Sequence, residues 1–155
     1  MTRKYKTALF AGTFNPFTIG HKSIADRALK IADALVIGFG VNPAKPDPDS
    51  VARVAAVKRL YADNPRVTVV QYAGLTTEFA RECGADFMVR GVRSVADFEY
   101  ERNLADINLK ISGIETVLLP ALPELSYVSS SMVRELEANG VDISPYLPRF
   151  ISSYE

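Results

Sequence analysis

Short apolar runs alternate along this chain with segments whose apolar residues recur at helical spacing, and this alternation limits the folds open to it. Parallel strands that are buried on both faces have continuous apolar sequences, and helices commonly connect them. The apolar runs predict five strands, over residues 7–10, 34–41, 66–72, 86–90 and 115–119. With 155 residues, the chain has the size of one domain. We therefore expect a single-domain α/β protein with a doubly wound, five-stranded parallel sheet.

The segments between the predicted strands have the periodicity of amphipathic helices. They predict helices over residues 21–32, 51–61, 75–83 and 95–111. The inward face of the first helix is expected to consist of Ile24, Ala28, Ile31 and Ala32, and that of the second of Val51, Val54, Val57 and Tyr61. The inward face of the fourth helix is expected to consist of Phe98, Leu104 (or Glu101), Ile107 and Ile111. The serines at positions 129–131 open a further helix that Gly140 ends, and a short last helix is expected over residues 146–153.

The charge balance argues against one broad class of function. Lys plus Arg and Asp plus Glu number 18 each, so the formal net charge is zero. A general nucleic-acid binder needs a surplus of basic residues to neutralise backbone phosphates. We therefore expect no nucleic acid as a partner, and any anion site must be a local cluster of cations.

Cysteine usage and the N-terminal sequence bear on the compartment. Cys83 is the one cysteine, which excludes an internal disulfide and a multi-cysteine metal site and fits a reducing compartment. The first apolar run stops at Gly12, so it is too short for a signal-peptide core with a cleavage site or for a membrane span. We expect a soluble, cytoplasmic protein with no membrane as a partner.

The one histidine, His21, lies at a junction between a predicted strand and a predicted helix. It ends the segment Gly-Thr-Phe-Asn-Pro-Phe-Thr-Ile-Gly-His, which begins at Gly12. The backbone amides at a helix N-terminus favour bound phosphate, and Gly20 lets a ligand approach the backbone closely. An imidazole in this position can donate a hydrogen bond to a phosphate oxygen. The segment therefore predicts nucleotide chemistry.

Polar residues follow the predicted strands at their carboxyl ends, where open α/β sheets bind ligands. Arg90 and Arg93 flank Gly91 and could hold two phosphates, or they could be two solvated arginines at a strand end. Glu101 and Asn108, seven positions apart, lie on one helical face. The serine cluster could cap its helix or cradle a triphosphate. The residues that follow the strands are Thr13, His21, Lys45, Leu75, Thr76, Arg90, Arg93, Ser129, Ser130 and Ser131.

Together these segments resemble the nucleotidyltransferase superfamily that carries a Thr/His-x-Gly-His signature and a serine-rich motif. More narrowly, the chain is similar to the bacterial phosphopantetheine adenylyltransferase family over nearly its whole length. The resemblance rests on residues 12–16, 18–21, 90–101 and 126–131, of which the third segment is long and specific. It implies a Rossmann-like fold and transfer of an adenylyl group from ATP to 4′-phosphopantetheine. It also implies Mg²⁺, carried by ATP and pyrophosphate, and a homohexamer.

The resemblance also implies roles for individual residues of this chain. It implies that His21, Lys45 and Thr13 are catalytic. It implies that the ATP-binding residues are Thr13, Phe14, His21, Gly91, Val92, Arg93, Glu101, Leu125, Ser126, Tyr127, Val128, Ser129, Ser130 and Ser131. It implies that the residues binding phosphopantetheine are Thr13, Lys45, Leu75, Thr76, Arg90, Tyr100 and Asn108.

Two other functions remain open at this point. An enzyme of the same class could use another acceptor, such as nicotinamide mononucleotide or a sugar phosphate, although residues 90–101 argue against it. A nucleotide-sensing or scaffolding α/β domain could bind ATP without turnover, and fold alone does not exclude it.

Overall fold

The computed structural model describes residues 4–149. Within them lies one five-stranded parallel sheet of order β3-β2-β1-β4-β5, which confirms the predicted doubly wound α/β fold. The strands are β1 (Thr7–Gly12), β2 (Ala34–Val41), β3 (Val67–Ala73), β4 (Phe87–Val92) and β5 (Glu115–Pro120). The helices are α1 (Ile19–Ala28), α2 (Ser50–Leu60), α3 (Thr76–Glu82), α4 (Val95–Ser112) and α5 (Ser130–Ala138), with short 3₁₀ turns at Pro123–Leu125 and Ser144–Tyr146.

The core has two layers because successive side chains of a strand point to opposite faces of the sheet. Ala8 and Phe10 of β1 pack with buried side chains of α1, α2 and α5 on one face. Leu9 and Ala11 pack on the other face with Ala80 of α3. The central strands are therefore buried on both sides, which is why their sequences read as continuous apolar runs.

The strand order reverses between β1 and β4. From β1, the chain builds outward through β2 and β3 on one side and through β4 and β5 on the other. The register pairs Phe10 of β1 with Val89 of β4, so the carboxyl ends of both strands open into the same crevice. Ligands of open α/β sheets bind at such a switch point. Between residues 4 and 149, no helix is both long enough and apolar enough to cross a membrane.

The ends of several helices differ from the prediction. α1 begins at Ile19 and ends at Ala28, so Ile31 lies beyond the helix and is exposed, contrary to its expected inward position. Val51 at the start of α2 is also exposed, and the side chain buried near it is that of Arg53. The predicted last helix is wrong in its described part: Tyr146 ends a 3₁₀ turn and residues 147–149 are not helical, while 150–153 lie outside the described residues.

The predicted inward face of α4 is wrong at two of its positions. Phe98 and Ile107 are exposed, whereas Glu101, the predicted alternative to Leu104, is 4% exposed. The physical reason is that α4 covers a cleft as well as the sheet. Its inward stripe, spaced at helical intervals, is therefore partly polar and consists of Glu101, Leu104, Ala105, Asn108 and Ile111, the last of which lines the cleft and is still exposed.

Candidate active site

Two adjoining clefts open at the crevice between β1 and β4. The larger has a volume of about 780 Å³ and the smaller about 370 Å³. The larger runs over the ends of β2 and β3 toward α4, and the smaller runs over the N-terminus of α1 toward that of α5. A ligand in one cleft therefore comes close to a ligand in the other. The residues lining both are Gly12, Thr13, Asn15, Arg90 and Glu101.

The hydrogen bonds of the α1 N-terminus fix the orientation of His21. Thr18 is the N-cap, and its Oγ1 accepts a hydrogen bond from the backbone amide of His21 at 3.3 Å. In return, the backbone amide of Thr18 donates to Nδ1 of His21 at 2.9 Å. The two bonds form a capping box in which histidine stands where Glu or Gln is usual. Because Nδ1 accepts, the neutral ring carries its proton on Nε2 and has that N–H left to donate to a ligand.

The environment of His21 keeps the ring neutral. Burial of the imidazole, followed by the positive charges of Arg90 and Arg93, lowers the pKa of His21 from 6.5 to about 3. Desolvation disfavours the charged form of a base, and nearby cations act in the same direction. The side chain therefore acts as a hydrogen-bond donor of fixed tautomer and carries no charge at neutral pH.

Aromatic side chains brace the ring of His21 on the core side. The ring of Phe14 contacts that of His21 edge-on at a centroid distance of 5.0 Å, and it also packs edge-on against Phe10, Phe17 and Phe39. Phe14 has a φ of 50°, a left-handed conformation that is rare for a bulky residue and that occurs often at functional sites. A Cβ added at Gly12 would lie 3.0 Å from the Phe14 ring, so any larger residue there would push that ring out of its position.

Arg90 lies in β4 at the wall between the two clefts and is bound to the protein at three nitrogens. Its Nε and Nη2 donate to the two carboxylate oxygens of Glu101 at 2.9 and 2.7 Å. Its Nη1 donates to the backbone oxygen of Ala11 at 2.6 Å. A guanidinium has five N–H donors, so two remain for a ligand. Burial disfavours the charge of Arg90, but the Glu101 carboxylate outweighs it and raises the pKa of Arg90 above its usual value.

The start of α5 forms the far wall of the smaller cleft. Ser129 is the N-cap, and its Oγ accepts from the backbone amide of Met132 at 3.1 Å. Ser130 Oγ donates to the backbone oxygen of Pro16 at 2.8 Å. The Ser131 hydroxyl lies 3.2 Å from that of Ser129. The serine cluster thus caps the helix, which is one of its two predicted roles, and it also lines the cleft.

Two further arginines border the smaller cleft. Arg93 follows β4, and its guanidinium lies 3.5 Å from the carboxylate of Asp97. Arg134 of α5 donates to the backbone oxygen of Asn15 at 2.5 Å. With Arg90, they give the cleft three arginines against the two carboxylates of Asp97 and Glu101, an excess of positive charge although the formal net charge of the chain is zero. This is the local cluster of cations that a phosphate site requires.

The larger cleft is lined by two cations, Lys45 and Arg90, and by uncharged side chains. Lys45 and Asn42 lie on the loop after β2, and Leu75 and Thr76 lie at the start of α3. The hydroxyl of Tyr72 is 2.8 Å from that of Thr76, and the Tyr72 ring stacks on Phe79 at 4.5 Å. An anionic group near Lys45 and Arg90, with an uncharged polar arm along Tyr72 and Thr76, would match this cleft.

The structure brings most of the predicted site residues to these clefts. The smaller cleft is lined by Thr13, Phe14, His21, Gly91, Arg93, Glu101, Leu125, Val128, Ser129, Ser130 and Ser131, and the larger by Thr13, Lys45, Leu75, Thr76, Arg90 and Asn108. In the described part of the chain, neither cleft is lined by Val92, Ser126, Tyr127 or Tyr100. Tyr100 and Tyr127 are exposed, and Ser126 donates its hydroxyl to the backbone oxygen of Pro123.

Sequence reasoning missed several residues that line the clefts. Asn15 and Asp97 lie inside segments that were singled out, but no role was given to either side chain. Arg134 follows the serine cluster by three positions, so helical spacing could have placed it on the same face. Tyr72 ends a predicted strand, and its position at the carboxyl end was the available signal.

Comparisons with known proteins agree with this geometry. A family model described as cytidylyltransferase-like matches residues 9–136. A phosphopantetheine adenylyltransferase of Phocaeicola vulgatus is 51% identical over 92% of this chain and 95% of its own length. One from Bacteroides thetaiotaomicron is 49% identical over the same shares.

Among solved structures, a bifunctional NMN adenylyltransferase/ADP ribose pyrophosphatase from Francisella tularensis superposes with a TM-score of 0.67. It is 15% identical, and the match covers 93% of this chain and 45% of that one, so it supports the fold alone. The family model and the relatives go further than the fold. The chain belongs to the cytidylyltransferase-like nucleotidyltransferases and, among them, to the phosphopantetheine adenylyltransferase family.

Proposed function

We propose that the protein transfers the adenylyl group of ATP to 4′-phosphopantetheine, giving dephospho-coenzyme A and pyrophosphate. The observation that carries this proposal is the pair of clefts that share Thr13 and Arg90 at the switch point. The smaller cleft has the helix N-termini and cations that suit a triphosphate. The larger has cations and a wider, partly polar lining that suit a phosphate with an amide-bearing arm.

In this reaction the nucleophile is already an anion. The second pKa of a phosphate monoester is about 6, so the acceptor is largely ionised at neutral pH and needs no general base. An oxygen of the acceptor phosphate forms a bond to the α-phosphorus of ATP, and the bond from that phosphorus to the bridging oxygen of pyrophosphate breaks. The protein must align two anions that repel each other and stabilise charge that develops at the α-phosphate.

The site residues fit these tasks. The Nε2–H of His21, the ammonium of Lys45 and the hydroxyl of Thr13 bind the α-phosphate as it gains charge. Arg90 binds the attacking phosphate with its two remaining N–H groups. Arg93 and the serine-rich start of α5 bind the leaving pyrophosphate. Glu101 lines both clefts and contributes to the binding of the attacking phosphate by holding Arg90, because both of its carboxylate oxygens accept from that guanidinium.

Mg²⁺ enters this proposal as an ion bound to the polyphosphate. Among residues 4–149, no three His, Cys, Asp or Glu side chains come together as a metal site. Mg²⁺ commonly keeps several waters and is bound through substrate phosphates, so an ion carried by ATP fits a cleft with few carboxylates. When bound, it neutralises charge on the phosphate oxygens.

We also propose that the protein acts in the cytoplasm as a homohexamer. The exposed apolar side chains of α4 support association of copies, since such patches on soluble proteins commonly mark interfaces. Val95 and Phe98 lie on one exposed face of the helix, and Tyr100 and Ile107 lie on the opposite one. Sedimentation equilibrium should give six times the chain mass of 17.0 kDa. A mass of one chain at micromolar concentration would contradict the assembly.

The first experiment is to measure pyrophosphate release from ATP and Mg²⁺ with and without 4′-phosphopantetheine. We expect release that requires the acceptor and falls sharply in His21→Ala. Nicotinamide mononucleotide and a sugar phosphate serve as control acceptors. Release with one of them in place of phosphopantetheine would reassign the acceptor. ATP binding without release for any acceptor would favour a non-catalytic nucleotide-binding domain.

A further inference from the structure

The loop between β2 and α2 carries Lys45 into the larger cleft. Residues 42–49 form no helix or strand. The turn at Asn42 is held by its side-chain oxygen, which accepts from the amide of Ala44 at 3.0 Å, and by its backbone oxygen, which accepts from the amide of Lys45 at 3.0 Å. These bonds hold the start of the loop, and in its second half the backbone oxygen of Asp47 accepts from the amide of Ser50 at 3.3 Å.

A bidentate ion pair holds the side chain of Asp47 in this second half. Arg53 of α2 is 2% exposed, and its Nη1 and Nη2 donate to the two carboxylate oxygens of Asp47 at 3.0 and 2.5 Å. A buried guanidinium needs a partner that satisfies its charge, and a two-point bond also fixes the orientation of that partner. Arg53 is itself fixed by its place in α2, beside the buried Val54 and Val57. Asp47 is thus tied to the core, two positions from Lys45.

Because of this pair, Asp47 neutralises the charge of Arg53 and not that of Lys45. Asp47 lines the cleft, and in the described residues Lys45 forms no ion pair. The hydrogen bonds and charge of Arg53, together with the Asp49 amide, lower the pKa of Asp47 despite the opposing effect of burial. A carboxylate beside bound phosphates would repel them if it had no counter-charge. Arg53 supplies that counter-charge, and Lys45 keeps its own for the ligand.

We propose that Arg53, acting through Asp47, is a positioning residue that holds Lys45 at the phosphate-binding end of the larger cleft. This inference rests on the proposed function for the step that Lys45 assists. Loss of the ion pair is expected to lower the reaction rate strongly although Arg53 does not touch the substrate. A displacement of about 1 Å in a group that binds the transition state can lower the rate about 100-fold.

The test uses Asp47→Asn and the double variant Asp47→Asn/Arg53→Met. The double variant removes both charges together, so it leaves no unpaired charge in the core and should fold. Asp49→Asn is the matched control, since Asp49 is exposed on the same loop and its side chain makes no capping bond to α2. We expect turnover to fall about tenfold or more in both Asp47 variants, with KM for ATP within about twofold of the wild type and Asp49→Asn unchanged.

The same substitutions in a Lys45→Ala background separate positioning from a general structural role. If Asp47 acts through Lys45, Asp47→Asn should have almost no further effect once Lys45 is absent. Losses that multiply in the combined variant would overturn the proposal. Hydrogen exchange of the amides of Ala44 and Lys45, which both donate to Asn42, gives a readout that needs no substrate. We expect faster exchange in the Asp47 variants and not in Asp49→Asn.

The two readouts keep this inference separate from the proposed function. A wild-type protein that releases no pyrophosphate with phosphopantetheine would contradict the function, while amide exchange would still decide whether the ion pair holds the loop. Unchanged exchange in both Asp47 variants would overturn the inference even if turnover with phosphopantetheine is confirmed.

Discussion

The ring of His21 is fixed at Nδ1, which lies within hydrogen-bond distance of both the backbone amide and the hydroxyl of Thr18, and its other nitrogen is left for a ligand. Nδ1 accepts from Thr18, so the Nε2–H is the group that can bind the α-phosphate. We expect His21→Ala to lower turnover about 100- to 1,000-fold, the loss found for one donor to a developing oxyanion, while ATP still binds. Steady-state kinetics and ATP titration check this. Near-normal turnover in the variant would remove His21 from the mechanism.

Arg90 has a structural and a binding role, and a pair of variants separates them. Arg90→Lys keeps the charge but cannot make the two-point bond to Glu101 together with the bond to Ala11. We expect KM for 4′-phosphopantetheine to rise at least about tenfold, with a smaller change for ATP.

The matched control for Arg90 removes the ion pair as a whole. Arg90→Ala alone leaves the buried Glu101 carboxylate unpaired and should lower the free energy of unfolding by about 3 kcal/mol. Arg90→Met with Glu101→Gln should recover much of that stability and still bind the acceptor poorly. Urea unfolding and initial rates give the two values, and an unchanged KM in the double variant would refute the binding role.

Among the elements of secondary structure, α5 shows how a helix end can serve both stability and binding. Ser129 caps the helix, whereas Ser131 is exposed at the same end. We expect Ser129→Ala to lower the free energy of unfolding by about 1 kcal/mol, the usual effect of losing a cap. Ser131→Ala should change stability by less than about 0.5 kcal/mol and raise KM for ATP. Equal losses of stability in the two variants would contradict this division.

Periodicity in the sequence predicted the buried face of a helix that packs against the sheet better than the inward face of α4, which borders a cleft. In α1, Ile24 and Ala28 are buried as expected. In α4 the same rule selected Phe98 and Ile107, which are exposed, because the rule assumes that the inward face of a helix is apolar. Glu101, which the pattern offered only as an alternative to Leu104, is buried, and its burial depends on Arg90, a partner from another element. Sequence periodicity carries no information on that pairing.

The candidate site was predictable to the extent that its residues lie at strand ends. The sheet topology places Thr13 and Lys45 after β1 and β2 and Arg90 within β4, and all three line the same cleft. The bonds between these residues were not predictable, since the pairing of Asp47 with Arg53 depends on a loop conformation. Sequence reasoning gave neither of those side chains a role.

For the protein as a whole, stability depends on pH through groups that titrate in two different pH ranges. Hydrogen bonds from the Thr7 amide and from Lys4, with the charges of Lys4 and Lys6, lower the pKa of Asp86, and Arg53 does the same for Asp47. Their contributions to stability are complete above about pH 4 and are lost as the pH falls through their native pKa values. His21 affects the free energy of unfolding over a different pH range. Its unfolded pKa is 6.5 and its native pKa about 3, so the unfolded state binds the proton first.

Acid should therefore destabilise the protein well before the carboxylates titrate. Between pH 6 and pH 5, we expect the free energy of unfolding to fall by about 1 kcal/mol per pH unit because of His21 alone. His21→Gln, which cannot take up a proton in either state, should flatten this slope while leaving the steeper loss below pH 4. Urea unfolding at half-unit steps from pH 7 to pH 4.5 checks the difference between the two proteins. Parallel slopes over that range would mean that the imidazole titrates alike in the native and unfolded states, and Nδ1 would then not be held as an acceptor.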